Sequence, residues 1–177
     1  MSKKKKNLSE YHKKSVPSAK GLKFGILVSE WNKEITESMY EGAFNTLVKN
    51  GTRKQDILKK YVPGSFELTL GAQYIAQYTD VDAIICLGCV IQGETRHFEF
   101  ICQAVAQGLT NISIRHDIPV IFGVLTTDTM EQAKARSGGK LGNKGDEAAI
   151  SAIKMVHLSS ELFEAFYEKG DELLEKK

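Results

Sequence analysis

Apolar residues along this chain fall in short blocks that alternate with longer, periodically polar segments. Leu22 to Ser29 reads as a buried strand, and Lys33 to Asn50 as a helix, with Ile35, Met39, Ala43 and Leu47 recurring at helical spacing beside Phe44 and Val48. Asn50-Gly51 supplies the stop. A second apolar run, Ile57 to Val62, is followed by Pro63-Gly64 and a helix over 66–78 carrying Phe66, Leu70, Tyr74 and Ile75. The third strand is Ala83 to Leu87, and its helix over 98–114 shows Ile101, Val105, Leu109 and Ile112. Pro119 precedes a fourth strand, Val120 to Leu125. Asp128, with Glu131 three residues on, predicts a helix cap and its return partner, opening a short helix over 129–136. The run SGGKLGNKG, Ser137 to Gly145, breaks that helix. A last helix over 146–169 carries Ala149, Ile153, Val156, Leu162, Phe163 and Phe166.

Strands that alternate with helices imply a parallel sheet covered on both faces and joined by right-handed crossovers. The expected fold class is therefore α/β: a three-layer α/β/α sandwich, flavodoxin-like, with a four-stranded parallel sheet in a single domain. That domain is expected over 21–170, after a flexible Lys-rich arm over 1–20 and before a polar tail over 171–177. At 177 residues, with 42% hydrophobic and 26% charged content, the chain is long enough for one substantial core.

Charge changes the picture once the arm is set aside. The first twenty residues hold seven lysines, Lys3 to Lys6 among them, against Glu10 alone. Taking these from 24 cations and 22 anions leaves 17 against 21, so the formal charge of +2 becomes −4 for the remainder. A nucleic-acid-binding body is disfavoured. The lysine run reads either as a solvated terminus or as an interaction arm; it lacks the apolar core of a secretion signal. No window approaches the ~18 apolar residues of a membrane span, and the expected location is the cytoplasm. The three cysteines, Cys86, Cys89 and Cys102, sit in apolar surroundings that suit reduced thiols. Cys86 and Cys89 form a C-x-x-C spacing, but on one strand their side chains point to opposite faces and cannot share a metal. No metal is expected.

Residues that propensity leaves unexplained collect just after strand ends: Trp31-Asn32, then Gly64 to Glu67, then Cys89 to His97. In an open parallel sheet these three loops share one edge, so an aromatic, a carboxylate, backbone amides and a histidine converge on one crevice. Trp31, the one tryptophan, is either a rim aromatic or a stacking surface for a flat heterocycle. Glu67 is either a carboxylate complementing a helix dipole or an acceptor of ring N–H groups. Gly93-Glu94-Thr95 ahead of a helix can present amides and a hydroxyl to a phosphate. His97 is the leading candidate for proton transfer, against the plainer reading of a surface histidine.

Taken together, GLKFGILVSEWN, VPGSFEL, DAIICLGCVIQGETRHFEFIC, PVIFGVLTT and ARSGGKLGNKG with AAISAI resemble the lumazine synthase family over residues 21–161, in order and without large insertion. The resemblance implies condensation of 5-amino-6-(D-ribitylamino)uracil with 3,4-dihydroxy-2-butanone 4-phosphate to 6,7-dimethyl-8-ribityllumazine, without a cofactor. It implies that Trp31 stacks on the pyrimidine beside Asn32, that Ser65, Phe66 and Glu67 hold its ring and ribityl chain, and that Cys89, Val90 and Ile91 line the ring pocket. Glu94, Thr95 and Arg136 would meet the phosphate, His97 would move protons, and Phe122 would complete the ring pocket of a neighbouring subunit. The implied partners are two small-molecule substrates and further copies of the chain, as a pentamer and in some members a 60-subunit shell, with association to riboflavin synthase also in view. Cys89 stands where threonine is frequent. Arg96 stands where threonine is common and either depresses the His97 pKa or adds to phosphate attraction. The competing classes are a non-catalytic flavin or lumazine carrier and a shell protein with vestigial sites.

Overall fold

The computed structural model describes residues 7–11 and 15–174, the side chains to residue 167. The Lys3 to Lys6 run and the last three residues of the expected tail lie outside the described residues. Four strands, β1 (Phe24–Ser29), β2 (Ile57–Val62), β3 (Ala83–Ile91) and β4 (Val120–Thr127), pair in parallel in the order β2-β1-β3-β4. The helices are α1 (Lys33–Lys49), α2 (Leu68–Tyr78), α3 (His97–His116), α4 (Met130–Arg136) and α5 (Lys144–Leu174). One face of the sheet packs Ile26, Val28, Ile85 and Leu87 against Met39 and Leu47 of α1, Ala133 of α4 and Ile153 of α5. The other packs Leu27, Ile84 and Val124 against Leu68 and Ala72 of α2 and Val105 and Leu109 of α3. This is the expected three-layer arrangement. The central strands β1 and β3 are almost wholly apolar and buried because both their faces are covered, with Ser29 the one polar residue, whereas the edges β2 and β4 carry exposed residues.

Cys86 belongs to the second of these clusters and Cys89 to the first, so the C-x-x-C pair straddles the sheet. Burial pushes the Cys86 thiol far up and the Cys89 thiol up to about 11.

Four local expectations need correction. β3 runs four residues past Leu87, because Cys89, Val90 and Ile91 pair with Leu125, Thr126 and Thr127 of a β4 that is longer as well. Gly88 does not end the strand: a Cβ there would lie 2.6 Å from Ser65 Oγ and 3.0 Å from Leu68 Cδ1, so its missing side chain is what lets the end of β2's connection pack on the sheet. The cap of α4 is Thr129, whose side chain accepts from the Gln132 amide at 3.3 Å, while the Gln132 side chain accepts from the Asp128 amide at 3.2 Å. Asp128 and Glu131 are each one position out of phase for that exchange. On α2 it is Leu68, Ala72 and Ile75 that are buried, and Leu70, Tyr74 and Tyr78 face outward with Phe66. The α2 apolar stripe thus covers a second surface as well as the core.

The run over 137–145 is ordered. Ser137–Gly139 (β5) and Gly142–Asn143 (β6) form a two-strand antiparallel pair. The Asn143 side chain donates to the Ser38 carbonyl and accepts from the Gly145 amide, both at 2.8 Å. A Cβ on Gly145 would run into the Met39 carbonyl, so α1 and α5 meet backbone to backbone here. The N-terminal segment also lies against the body. Leu8 N–H donates to the Leu141 carbonyl at 2.8 Å, Ala19 is fully buried, and His157 Nε2 lies 2.8 Å from the Ser18 carbonyl.

Candidate functional site

β1 and β3 are neighbours whose crossovers leave in opposite directions, β1 toward β2 and β3 toward β4. At such a switch point the connections at the carboxyl ends diverge and leave a crevice. A cavity of about 670 Å³ opens there. It is lined by Trp31 and Asn32 after β1, by Gly64 to Glu67 after β2, by Cys89, Val90 and Ile91 at the end of β3, and by His97 and Ile101 of α3. Nine residues singled out from the sequence meet in this one space: Trp31, Asn32, Ser65, Phe66, Glu67, Cys89, Val90, Ile91 and His97.

Each is held for a local reason. Trp31 stands 73% exposed at the rim, and its backbone N–H donates to the Pro63 carbonyl at 3.2 Å, tying the β1 loop to the β2 loop. Ser65, Phe66 and Glu67 form the turn into α2: the Ser65 carbonyl accepts from Leu68 N–H at 3.2 Å and the Glu67 carbonyl from Gly71 N–H at 2.9 Å. Glu67 occupies the cap position of α2, yet its side chain makes no capping hydrogen bond. The carboxylate is aimed along the crevice, where a Cβ on Gly64 would lie 3.0 Å from Glu67 Oε2 and 3.3 Å from Trp31 Cδ1. Ser65 Oγ is buried without a hydrogen-bond partner, packed into the space that the missing side chain of Gly88 leaves. Cys89 contributes a buried, protonated thiol and its backbone. His97 is the first residue of α3, exposed, with its backbone N–H facing Thr95 Oγ1 at 3.4 Å.

Glu94 and Thr95 sit on the exposed loop that leads into α3, beside the crevice mouth and outside its lining. Arg136 and Phe122 are elsewhere on the same subunit. Phe122 pairs with Cys86 in the register of the edge strand β4 and is 36% exposed. Arg136 ends α4, with Nη1 donating to the Gln132 carbonyl at 3.0 Å, and lines a second, more polar crevice of about 260 Å³ with Thr126, Thr127 and Lys144. Lys144 is paired with Glu147 at 2.7 Å. Two features were out of reach from the sequence: the approach of Lys144 to Arg136, separated by the β5-β6 pair, and the shaping role of Gly64, whose absent side chain leaves no mark in a residue pattern. Among the described residues no group of three His, Cys, Asp or Glu is placed to hold a metal ion.

A family model described as 6,7-dimethyl-8-ribityllumazine synthase matches residues 21–160. The chain is 60% identical over 151 residues to a 6,7-dimethyl-8-ribityllumazine synthase of Cytophaga hutchinsonii, covering 85% of this chain and 94% of the relative. It is 56% identical over 154 residues to the protein of that description from Parabacteroides distasonis, covering 87% and 96%. With that of Flavobacterium psychrophilum the identity is 47% over 169 residues, covering 96% and 89%.

Proposed function

This chain belongs to the 6,7-dimethyl-8-ribityllumazine synthase family, and from that premise we propose how its own residues carry the reaction. The reaction is the condensation of 5-amino-6-(D-ribitylamino)uracil with 3,4-dihydroxy-2-butanone 4-phosphate in riboflavin biosynthesis. The observation that carries the reading is the meeting of Trp31, Glu67, the end of β3 and His97 in one crevice.

The pyrimidine lies flat against Trp31, with Ser65, Phe66 and Glu67 along its ring and ribityl chain. The Cys89 thiol stays protonated, so Cys89, Val90 and Ile91 act as an apolar wall with backbone polar groups. The phosphate end of the second substrate meets Glu94 and Thr95 at the start of α3, where the helix dipole favours an anion. The amino group adds to the ketone, loses water to an imine, phosphate leaves, and the ribitylamino nitrogen closes the second ring with loss of a second water. Protons move at each stage while the leaving group is already good. His97, at the crevice mouth between the two substrate ends, relays them, an effect of about 10² to 10⁴ in rate. Holding the two substrates together supplies the rest.

The proposed site is completed by a second copy. Arg136 and Phe122 are not among the residues that line their own subunit's crevice, and Phe66, Leu70, Tyr74 and Phe100 leave apolar surface exposed that can pack against a neighbour. A pentamer with Arg136 as phosphate clamp and Phe122 against the ring accounts for both. Closure of pentamers into a shell, association with riboflavin synthase and a cytoplasmic location are the further expectations; among the described residues no helix is long and apolar enough to cross a membrane.

The test mixes purified protein with both substrates and follows the fluorescence of the lumazine. Turnover above the uncatalysed condensation is expected, and its absence refutes the enzyme. Native mass measurement separates pentamer from shell, and a fully active monomer refutes the shared site.

A further inference from the structure

Asn32 lines the crevice, but its side chain is already engaged. Its amide Nδ2 donates to the Cys89 carbonyl at 2.9 Å. Its backbone is left-handed, at φ 56 and ψ 45, a region that asparagine enters more readily than other residues with a side chain. From there its carbonyl accepts from the amides of Ile35 at 2.8 Å and Thr36 at 3.1 Å, which starts α1. On the other side of the loop, the Glu30 and Trp31 amides donate to the Val62 and Pro63 carbonyls at 2.9 and 3.2 Å. Residues 30–32 are thus stitched to the end of β2 through their backbone and to the end of β3 through one side chain. That side chain spans the point where the two crossovers diverge. Among the described residues no second hydrogen bond joins the Trp31 loop to the strand end that faces it across the crevice.

We propose that Asn32 is a positioning residue: its Nδ2 to Cys89 O bond fixes the gap between the Trp31 ring and the Cys89–Ile91 wall, and it acts on the pyrimidine only through them. This rests on the crevice being the pyrimidine's site. Three chemical demands meet at this position: a left-handed backbone, a side-chain donor, and a reach of one amide. Glycine meets the first alone. Aspartate meets the first and third, and turns a carboxylate oxygen toward a carbonyl oxygen.

The experiment compares Asn32→Gly and Asn32→Asp with the parent protein, using Trp31, the one tryptophan of the chain, as probe. Time-resolved anisotropy of Trp31 is measured in the free protein. Affinity is then measured by quenching of Trp31 with 5-amino-6-(D-ribitylamino)uracil and with 5,6-diaminouracil, which has no ribityl chain. Expected are faster Trp31 depolarisation in both free variants, an equal loss of affinity for the two ligands of about three- to tenfold in Asn32→Gly, a larger loss in Asn32→Asp, and a KM effect that exceeds any effect on kcat. Unchanged depolarisation in the free variants overturns the proposal. So does a loss confined to the ribityl ligand, which would make Asn32 a direct contact. If the parent protein binds neither pyrimidine, the functional reading fails instead, while the anisotropy of the free variants still decides whether Asn32 holds the loop.

Discussion

Gly64→Ala is expected to weaken pyrimidine binding while leaving the fold as stable or slightly more so. The glycine is not among the residues with a positive φ, so alanine fits its backbone. Removing a glycine from the unfolded chain stabilises by about 0.4–1 kcal/mol when the native conformation is compatible. The new methyl would lie 3.0 Å from Glu67 Oε2 and 3.3 Å from Trp31 Cδ1, closer than the ~3.5–4.0 Å of an unstrained carbon contact. Glu67 and Trp31 must each retreat by a few tenths of an ångström, and both line the same crevice. Since a displacement of ~1 Å costs on the order of 10² in rate, a shift of this size corresponds to about three- to tenfold, or ~0.7–1.4 kcal/mol. Trp31 quenching gives the affinity, calorimetry gives the melting temperature, and steady-state kinetics give KM for each substrate. KM for the pyrimidine should rise and KM for the phosphate substrate should not. In a Trp31→Ala background, read by turnover, the substitution should cost less because one obstructed neighbour is gone. A lowered melting temperature with unchanged pyrimidine affinity would refute the reasoning, since it would mean that the methyl strains the turn and not the site.

His97→Ala should lower kcat by about 10² to 10⁴ while sparing pyrimidine binding; an unchanged kcat removes His97 from proton transfer. Arg136→Ala should raise KM for the phosphate substrate about 10- to 150-fold, the equivalent of a charge-assisted hydrogen bond worth ~1.5–3 kcal/mol; a rise for the pyrimidine alone contradicts the clamp. With its thiol pushed up to about 11 by burial, Cys89 is thiolate in only about one part in a thousand at pH 8, so mass spectrometry after iodoacetamide treatment of native protein should find Cys86 and Cys89 unmodified. Rapid labelling of Cys89 would show that the crevice wall opens. Glu37 titrates with opposing influences: burial raises its carboxyl pKa, while the Lys59 ammonium and Tyr61 hydroxyl, both at 2.7 Å, hold it below the ordinary value. A carboxyl depressed in the fold contributes stability that is complete above its unfolded pKa of about 4.3 and lost as pH falls through the folded value. Acid unfolding of Glu37→Gln should therefore be less steep than that of the parent below about pH 5, and identical curves would exclude the contribution.

The order of elements and the layers of this protein follow from the sequence, because the periodicity of Ile35, Met39, Ala43 and Leu47, and the uninterrupted apolar runs of β1 and β3, report burial directly. The position of the candidate crevice follows as well, since residues that propensity leaves unexplained fall at or after three successive strand ends and a parallel sheet puts those ends on one edge. What the tertiary structure decided is where neighbours from distant segments overrule a local signal. Gly88 looks like the end of a strand and is its middle, because Ser65 and Leu68 fill the space of its absent side chain. Leu70 and Tyr74 keep helical spacing with Phe66 but face away from the sheet, because Leu68, Ala72 and Ile75 already fill the groove. The break over 137–145 is an ordered pair, because Asn143 bonds to Ser38 a hundred residues earlier in the chain. Asn32 reads from the sequence as one more polar residue beside an aromatic, and only the approach of Cys89 gives its amide a partner. Periodicity along a chain records which face is covered; it carries no information about which atom of a remote segment arrives there, and the width of the crevice depends on that arrival.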